Sequence, residues 1–125
     1  MVGKVMPTLL AIDDSPSVRQ MIRVTFVSAG FDIIEASDGL EGLQKATSNL
    51  VDIVVTDLNM PRMNGLAFIR HLRARPSYHG LPIIVLTTES DQAARKEASA
   101  AGASAWITKP FSAQGLLDIA SGFLK

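Results

Sequence analysis

The hydrophobic pattern of this sequence changes period repeatedly, and that alternation limits the folds open to it. Thr8–Ile12 is a short apolar run that ends in two acids, as a buried strand does. Ser15-Pro16 then reads as an N-cap followed by proline at the first helical position. Val18, Met21, Ile22 and Phe26 follow at helical spacing, and Gly30 closes the helix. The same alternation continues to the end of the chain. Strands are expected over Phe31–Ala36, Asp52–Thr56, Pro82–Thr87 and Ser104–Thr108. Helices are expected from Asp38-Gly39, over Leu66–Ala74, over Asp91–Ala101 up to Gly102, and over Ser112–Leu124. Asn59–Gly65 is a loop rich in proline, asparagine and glycine, and Arg75-Pro76 stops the third helix.

Strand and helix alternating five times with short connections implies a parallel sheet covered by helices on both faces. The expected class is α/β: a flavodoxin-like (βα)5 doubly wound five-stranded sheet in the order 2-1-3-4-5. With 125 residues the chain reads as a single domain, its core about 7–124. A domain of this size buries roughly two-thirds of its surface, and the absence of cysteine is no handicap to stability. Twelve Lys+Arg balance twelve Asp+Glu, which argues against nonspecific nucleic-acid binding. The apolar runs fall far short of the ~20 residues that cross a bilayer. Lys4 and the apolar stretch from Val5 superficially resemble a signal peptide, but the stretch meets Asp13-Asp14 without a cleavage site. The expectation is a cytoplasmic protein, complete from Met1 to a helix reaching Lys125, with no membrane insertion and no DNA-binding helix-turn-helix.

In such folds the site lies beyond the carboxyl ends of the strands, where strand order reverses. The residues there are Asp13-Asp14, Asp57, Thr87-Thr88 and Lys109-Pro110. Strands one and three side by side would bring Asp13, Asp14 and Asp57 together. Three carboxylates in one cleft repel unless something neutralises them. A hard cation does so, and Mg²⁺ takes one or two carboxylates, waters and a phosphate oxygen. The cluster therefore points to Mg²⁺ together with a phosphoryl substrate. Lys109 and a threonine hydroxyl would supply further contacts to that group.

This pattern resembles the receiver domain of two-component response regulators over essentially the whole chain. The matching residues are Asp13-Asp14, Asp57 in Thr-Asp-Leu-Asn-Met-Pro-Arg-Met-Asn-Gly, Thr87, and Lys109-Pro110-Phe111. The resemblance implies that Asp57 accepts a phosphoryl group from a phosphohistidine, forming a covalent carboxylate intermediate. It further implies that Asp14 and Asp57 ligate Mg²⁺ directly, Asp13 through water and Asn59 through its backbone carbonyl. Lys109 and Thr87 would contact the phosphoryl oxygens, with the Lys109–Pro110 bond cis and the ammonium aimed inward. Asn59 and Glu89 would flank the hydrolytic water and tune the phosphoryl lifetime.

The implied output is a population shift in which Thr87 moves toward the phosphoryl group and Trp106 turns into the vacated space. Trp106 stands where the family usually carries tyrosine, phenylalanine or histidine, and it also reads as a partly exposed interface anchor. The face of helix four, strand five and helix five would then meet a partner. The alanine-rich fourth helix suits an easily displaced element, and Leu117 and Ile119 add apolar character beyond the inward set Leu116, Ala120 and Phe123. The implied partners are a chemotaxis-type histidine kinase, a target such as the flagellar motor switch, and a phosphatase.

Three other readings compete. One is a phosphorelay intermediate or phosphate sink. Another is an aspartate-nucleophile phosphatase, but that wants Asp-x-Asp where this chain has Asp13-Asp14-Ser15. A flavin or nucleotide binder would want a glycine- or hydroxyl-rich phosphate loop in the same place, and the acid pair would repel an unmetallated phosphate.

Overall fold

The computed structural model describes residues 6–124; Lys4, Val5 and Lys125 lie outside them. Five parallel strands form one sheet in the order β2-β1-β3-β4-β5. They are β1 (Thr8–Ile12), β2 (Asp32–Ala36), β3 (Ile53–Thr56), β4 (Ile83–Thr87) and β5 (Ala105–Thr108). The helices between and after them are α1 (Pro16–Ser28), α2 (Gly39–Ser48), α3 (Gly65–Arg73), α4 (Gln92–Ala101) and α5 (Ala113–Phe123). A single 3₁₀ turn over Pro76–Tyr78, absent from the sequence reading, follows α3.

The doubly wound form follows from strand alternation. Successive side chains of a strand point to opposite faces, so a strand covered on both sides must be apolar throughout. Leu10, Ile12, Val54, Ile83 and Val85 face one core with Phe68, Ile69 and Leu72 of α3 and Ala98 of α4. Leu9, Ala11, Ile53, Val55, Ile84 and Leu86 face the other with Ile22 and Phe26 of α1 and Leu116 and Ala120 of α5. Phe26 and Phe31 meet edge to face there, centroids 4.9 Å apart.

Two side chains expected to point inward do not. Met21 is 48% exposed and Phe123 is 40% exposed. Met21 sits one residue before Ile22, about 100° around the helix, while Ile22 and Phe26 are buried against the sheet with Val18 packed beside them. Phe123 closes the last turn of α5, past the point where Ala120 meets the sheet. Several expected bounds shift by one residue. Asp91 and Ser112 stand outside their helices as N-caps, accepting from the backbone N–H of Ala93 and Gly115. Phe31 belongs to the α1–β2 turn, its N–H bonded to the Phe26 carbonyl at 2.9 Å.

Asp38 does more than open α2. One carboxylate oxygen accepts from the Glu41 N–H at 2.8 Å, and the other pairs with Arg62 Nε at 2.8 Å. Arg62 holds a left-handed backbone at φ 65°. Its side chain thus ties the loop after β3 to the start of α2. Hydrogen bonds from Arg62, then from the Glu41 N–H, hold the Asp38 carboxyl below the ordinary carboxylate range. Asp38→Ala is expected to cost about 1–2 kcal/mol through the lost cap. The folded-state pKa is depressed, so this carboxylate's contribution is present above the unfolded value and fades as pH falls through the folded one. Urea melts of wild type and Asp38→Asn should therefore differ at neutral pH and converge in acid.

Candidate functional site

Register decides what meets at the carboxyl edge of the sheet. Ile12 lies beside Thr56 in the β1–β3 ladder, so the next residues, Asp13 and Asp57, emerge side by side. The Asp57 N–H continues that ladder to the Ile12 carbonyl at 3.0 Å. In the β4–β5 ladder Thr87 lies beside Thr108, and the Lys109 N–H bonds to the Thr87 carbonyl at 2.8 Å. The Lys109–Pro110 bond is cis.

Asp13, Asp14 and Asp57 each offer a carboxylate oxygen, and these oxygens all lie within 4.8 Å of one another. Lys109 Nζ donates to Asp13 Oδ2 at 2.7 Å and to Asp57 Oδ2 at 3.2 Å. Asp13 Oδ1 accepts from the Ser15 N–H at 2.9 Å, and Asp57 Oδ1 from the Leu58 N–H at 2.7 Å. The Asp14 carboxylate is exposed. Burial raises the Asp13 carboxyl above its ordinary range; hydrogen bonds from Lys109 and Ser15 oppose it and do not overcome it. Burial also presses the Lys109 ammonium toward neutrality, but its contacts with Asp13 and Asp57 outweigh that and hold its pKa above the ordinary value.

An oxygen-only set of three carboxylates, partly open to solvent, matches the chemistry of a hard divalent cation. One ammonium facing three carboxylates leaves a negative excess for such a cation to neutralise. The residues present therefore fit a metal, and each acid offers a carboxylate oxygen to it.

Of the other expected residues only Asn59 touches the cluster, its backbone N–H donating to Asp57 Oδ1 at 3.4 Å. Thr87 is fully buried, and its Oγ1 accepts from the Glu89 N–H at 3.2 Å. Glu89 in turn accepts from the Asp91 N–H at 3.0 Å, beside the start of α4. Asn59 is exposed two residues past Asp57. Trp106 is half-buried against the α3–α4 core, and its indole N–H reaches Thr108 Oγ1 at 3.3 Å, on the outer side of β5.

Two residues of the site were given no role from the sequence. Gly65 starts α3 against the loop after Asp57: its N–H bonds to the Leu58 carbonyl at 2.9 Å, and a Cβ there would stand 2.0 Å from the Asp57 carbonyl oxygen. The Met-Asn-Gly sequence ahead of an apolar helix was the available signal, with Asn64 as the cap that accepts from the Ala67 N–H at 2.8 Å. Arg19 is the other. It lies one helical turn after Ser15, which turns its side chain back toward the strand ends.

The model of the response regulator receiver domain matches residues 9–121. The chain belongs to this family. Proteins of the family signal by phosphorylation in two-component systems, and this chain is a signalling protein of that kind. It is 41% identical over 112 residues to the "Chemotaxis protein CheY homolog" of Campylobacter jejuni, covering 88% of this chain and 86% of that one. The structure of the Vibrio cholerae chemotaxis response regulator CheY4 superposes with a TM-score of 0.89 at 39% identity, covering 95% of this chain and 99% of that chain. The "Sensor histidine kinase CheAY" of Helicobacter pylori is 33% identical over 119 residues, matching 94% of this chain and 15% of that protein. Membership of the receiver family supports a histidine kinase as the partner of this chain. Among the described residues, no helix is long and apolar enough to cross a membrane.

Proposed function

We propose that this chain, working as a single receiver domain, is a chemotaxis switch whose phosphoacceptor is Asp57. The observation that carries the reading is Lys109 Nζ bridging Asp13 and Asp57 inside a cluster of three carboxylates. A carboxylate oxygen of Asp57 attacks phosphorus, the P–N bond of the kinase phosphohistidine breaks, and the imidazole departs with a proton from solvent. Asp14 and Asp57 would hold Mg²⁺ directly, with Asp13 through water and Asn59 through its carbonyl. Held there, Mg²⁺ would supply charge neutralisation for the phosphoryl oxygens. Lys109 then moves from carboxylate to phosphoryl oxygen, and the Thr87 hydroxyl leaves Glu89 to do the same. Water passing Asn59 and Glu89 attacks phosphorus, the bond to Asp57 breaks, and inorganic phosphate leaves the free carboxylate behind.

The proposed output face combines α4, β5 and α5. Arg95, Ser99, Ala103, Ser104, Ala105 and Trp106 line a hollow of about 180 Å³ there. Ile119 of α5 is 40% exposed, as a docking side chain should be. Similarity to proteins named for chemotaxis supports a motor-switch component as the target. Acetyl phosphate with Mg²⁺ should label the chain once, at Asp57, and change the fluorescence of Trp106, the only tryptophan. A chain that takes no label would end this reading.

Lys109→Ala should still accept label but lose the coupling. The gain in partner affinity on phosphorylation, about tenfold for a typical coupling free energy, is expected to vanish. Pull-down of the partner by labelled and unlabelled protein measures it; undiminished gain would remove Lys109 from the switch.

A further inference from the structure

Asp14 is the odd member of the cluster, because nothing holds its side chain. Asp57 is gripped by Leu58 and Lys109, and Asp13 by Ser15 and Lys109. The Asp14 carboxylate is exposed and makes no side-chain hydrogen bond among the described residues. Its direction therefore depends on its backbone, and first on the peptide plane that joins Asp13 to Asp14. Holding that plane fixes ψ of Asp13, one of the two torsions that direct the Cα–Cβ bond of Asp14 toward the other two acids.

One side chain fixes that plane. Arg19 Nη1 donates to the Asp13 carbonyl oxygen at 2.6 Å. The same guanidinium donates through Nε to Glu35 Oε1 at 3.2 Å. Glu35 is itself anchored near the end of β2, beside Ala11 of β1. Its second oxygen takes Arg23, and its backbone carbonyl takes Lys45 Nζ. The Arg19 side chain is 19% exposed, so solvent competes little for it. A rigid planar fork is what this job needs: two donors at fixed separation span a carboxylate on one strand and a carbonyl beyond the next. A lysine, with one nitrogen, cannot hold both in that geometry.

We infer that Arg19 is a positioning residue for the cation site, holding the Asp13–Asp14 peptide so that Asp14 faces Asp13 and Asp57. This rests on the metal-binding reading of the three acids, and it adds a prediction with an unusual sign. Arg19 is a cation beside an acidic cluster, so its removal should by Coulomb's law alone tighten binding of a divalent cation. If its role is to aim Asp14, removal should weaken binding instead. Residues that orient metal ligands typically govern affinity by tenfold or more.

The experiment is Mg²⁺ titration of the full chain, followed by Trp106 fluorescence and by calorimetry, well below the melting temperature. Arg19→Met should weaken Mg²⁺ binding about tenfold. Arg19→Lys, which keeps the charge but loses the fork, should weaken it several-fold while remaining folded. Arg23→Met removes a cation from the same Glu35 without touching the Asp13 carbonyl, and should leave affinity equal or slightly tighter. Equal or tighter binding in Arg19→Met and Arg19→Lys overturns the inference, as does the same weakening in Arg23→Met. Should Arg19→Met fail to fold, Arg19→Lys decides alone. A wild-type chain that binds no Mg²⁺ would instead refute the reading of the acid cluster, and is recognised by failure before any substitution is made.

Discussion

Asp57→Asn is expected to abolish labelling by acetyl phosphate in Mg²⁺ while the chain stays folded. The substitution is nearly isosteric, so the cores on both faces of the sheet are untouched. The carboxamide oxygen can still accept from the Leu58 N–H, a 2.7 Å bond in wild type. Two things are lost. An amide oxygen is too weak a nucleophile for phosphorus at neutral pH, so the covalent step has no attacking group. The amide nitrogen or the neutral oxygen also replaces the charged partner that Lys109 Nζ holds at 3.2 Å. Intact-mass analysis reads the first effect, and circular dichroism with a melt reads the fold. Labelling at the wild-type rate would move the phosphoacceptor elsewhere. Partial labelling would make a second acid, Asp13 or Asp14, a competing nucleophile, and peptide mapping would identify it.

Gly65→Ala is expected to damage both the fold and the site. Its Cβ would stand 2.0 Å from the Asp57 carbonyl oxygen and 3.0 Å from the Leu58 Cα. These are backbone atoms, so no side-chain rotation relieves the clash. Either α3 or the loop after β3 must move, breaking the 2.9 Å bond from the Gly65 N–H to the Leu58 carbonyl. We expect a loss of about 3 kcal/mol, at the upper end for overpacking. Asp57 shifts with its own carbonyl, so Mg²⁺ binding and labelling should fall together in the chain that remains folded. Gly122→Ala is the matched control. It lies in α5, where an added Cβ meets nothing within 4 Å, and alanine should stabilise the helix by about 0.5–1 kcal/mol. If Gly65→Ala melts and labels like wild type, the close approach at the head of α3 has no role in holding Asp57.

Much of the fold was legible because the signals are local. Ser15-Pro16, Asp38-Gly39 and Asn59–Gly65 mark turns and caps by chemistry confined to a few residues. The β-branched run at Val54-Val55 marks a central strand in the same way, since only full burial suits it. What stayed hidden was mostly contact between distant segments. The exposure of Met21 and Phe123 depends on where each helix rests against the sheet, and periodicity gives the stripe without its margins. The Asp38–Arg62 pair joins loops 24 positions apart, and nothing near either residue announces the other.

The candidate site divides along the same line. Chain order alone dictates which groups end the strands: Asp13-Asp14, Asp57, Thr87 and Lys109, in an α/β order that sends all of them to one edge. That follows because parallel strands joined by helices must all end on the same side. How the groups are held depends on packing between distant segments. Ladder register set Asp13 beside Asp57, and Lys109 reached across 96 and 52 positions to bridge them. Arg19 turned back to the Asp13 carbonyl, and α3 came close enough to Asp57 that only a glycine fits. Hydrophobic period and turn chemistry are properties of a dozen neighbouring residues. Hydrogen bonds and backbone clearances form between segments that meet only after the sheet has closed.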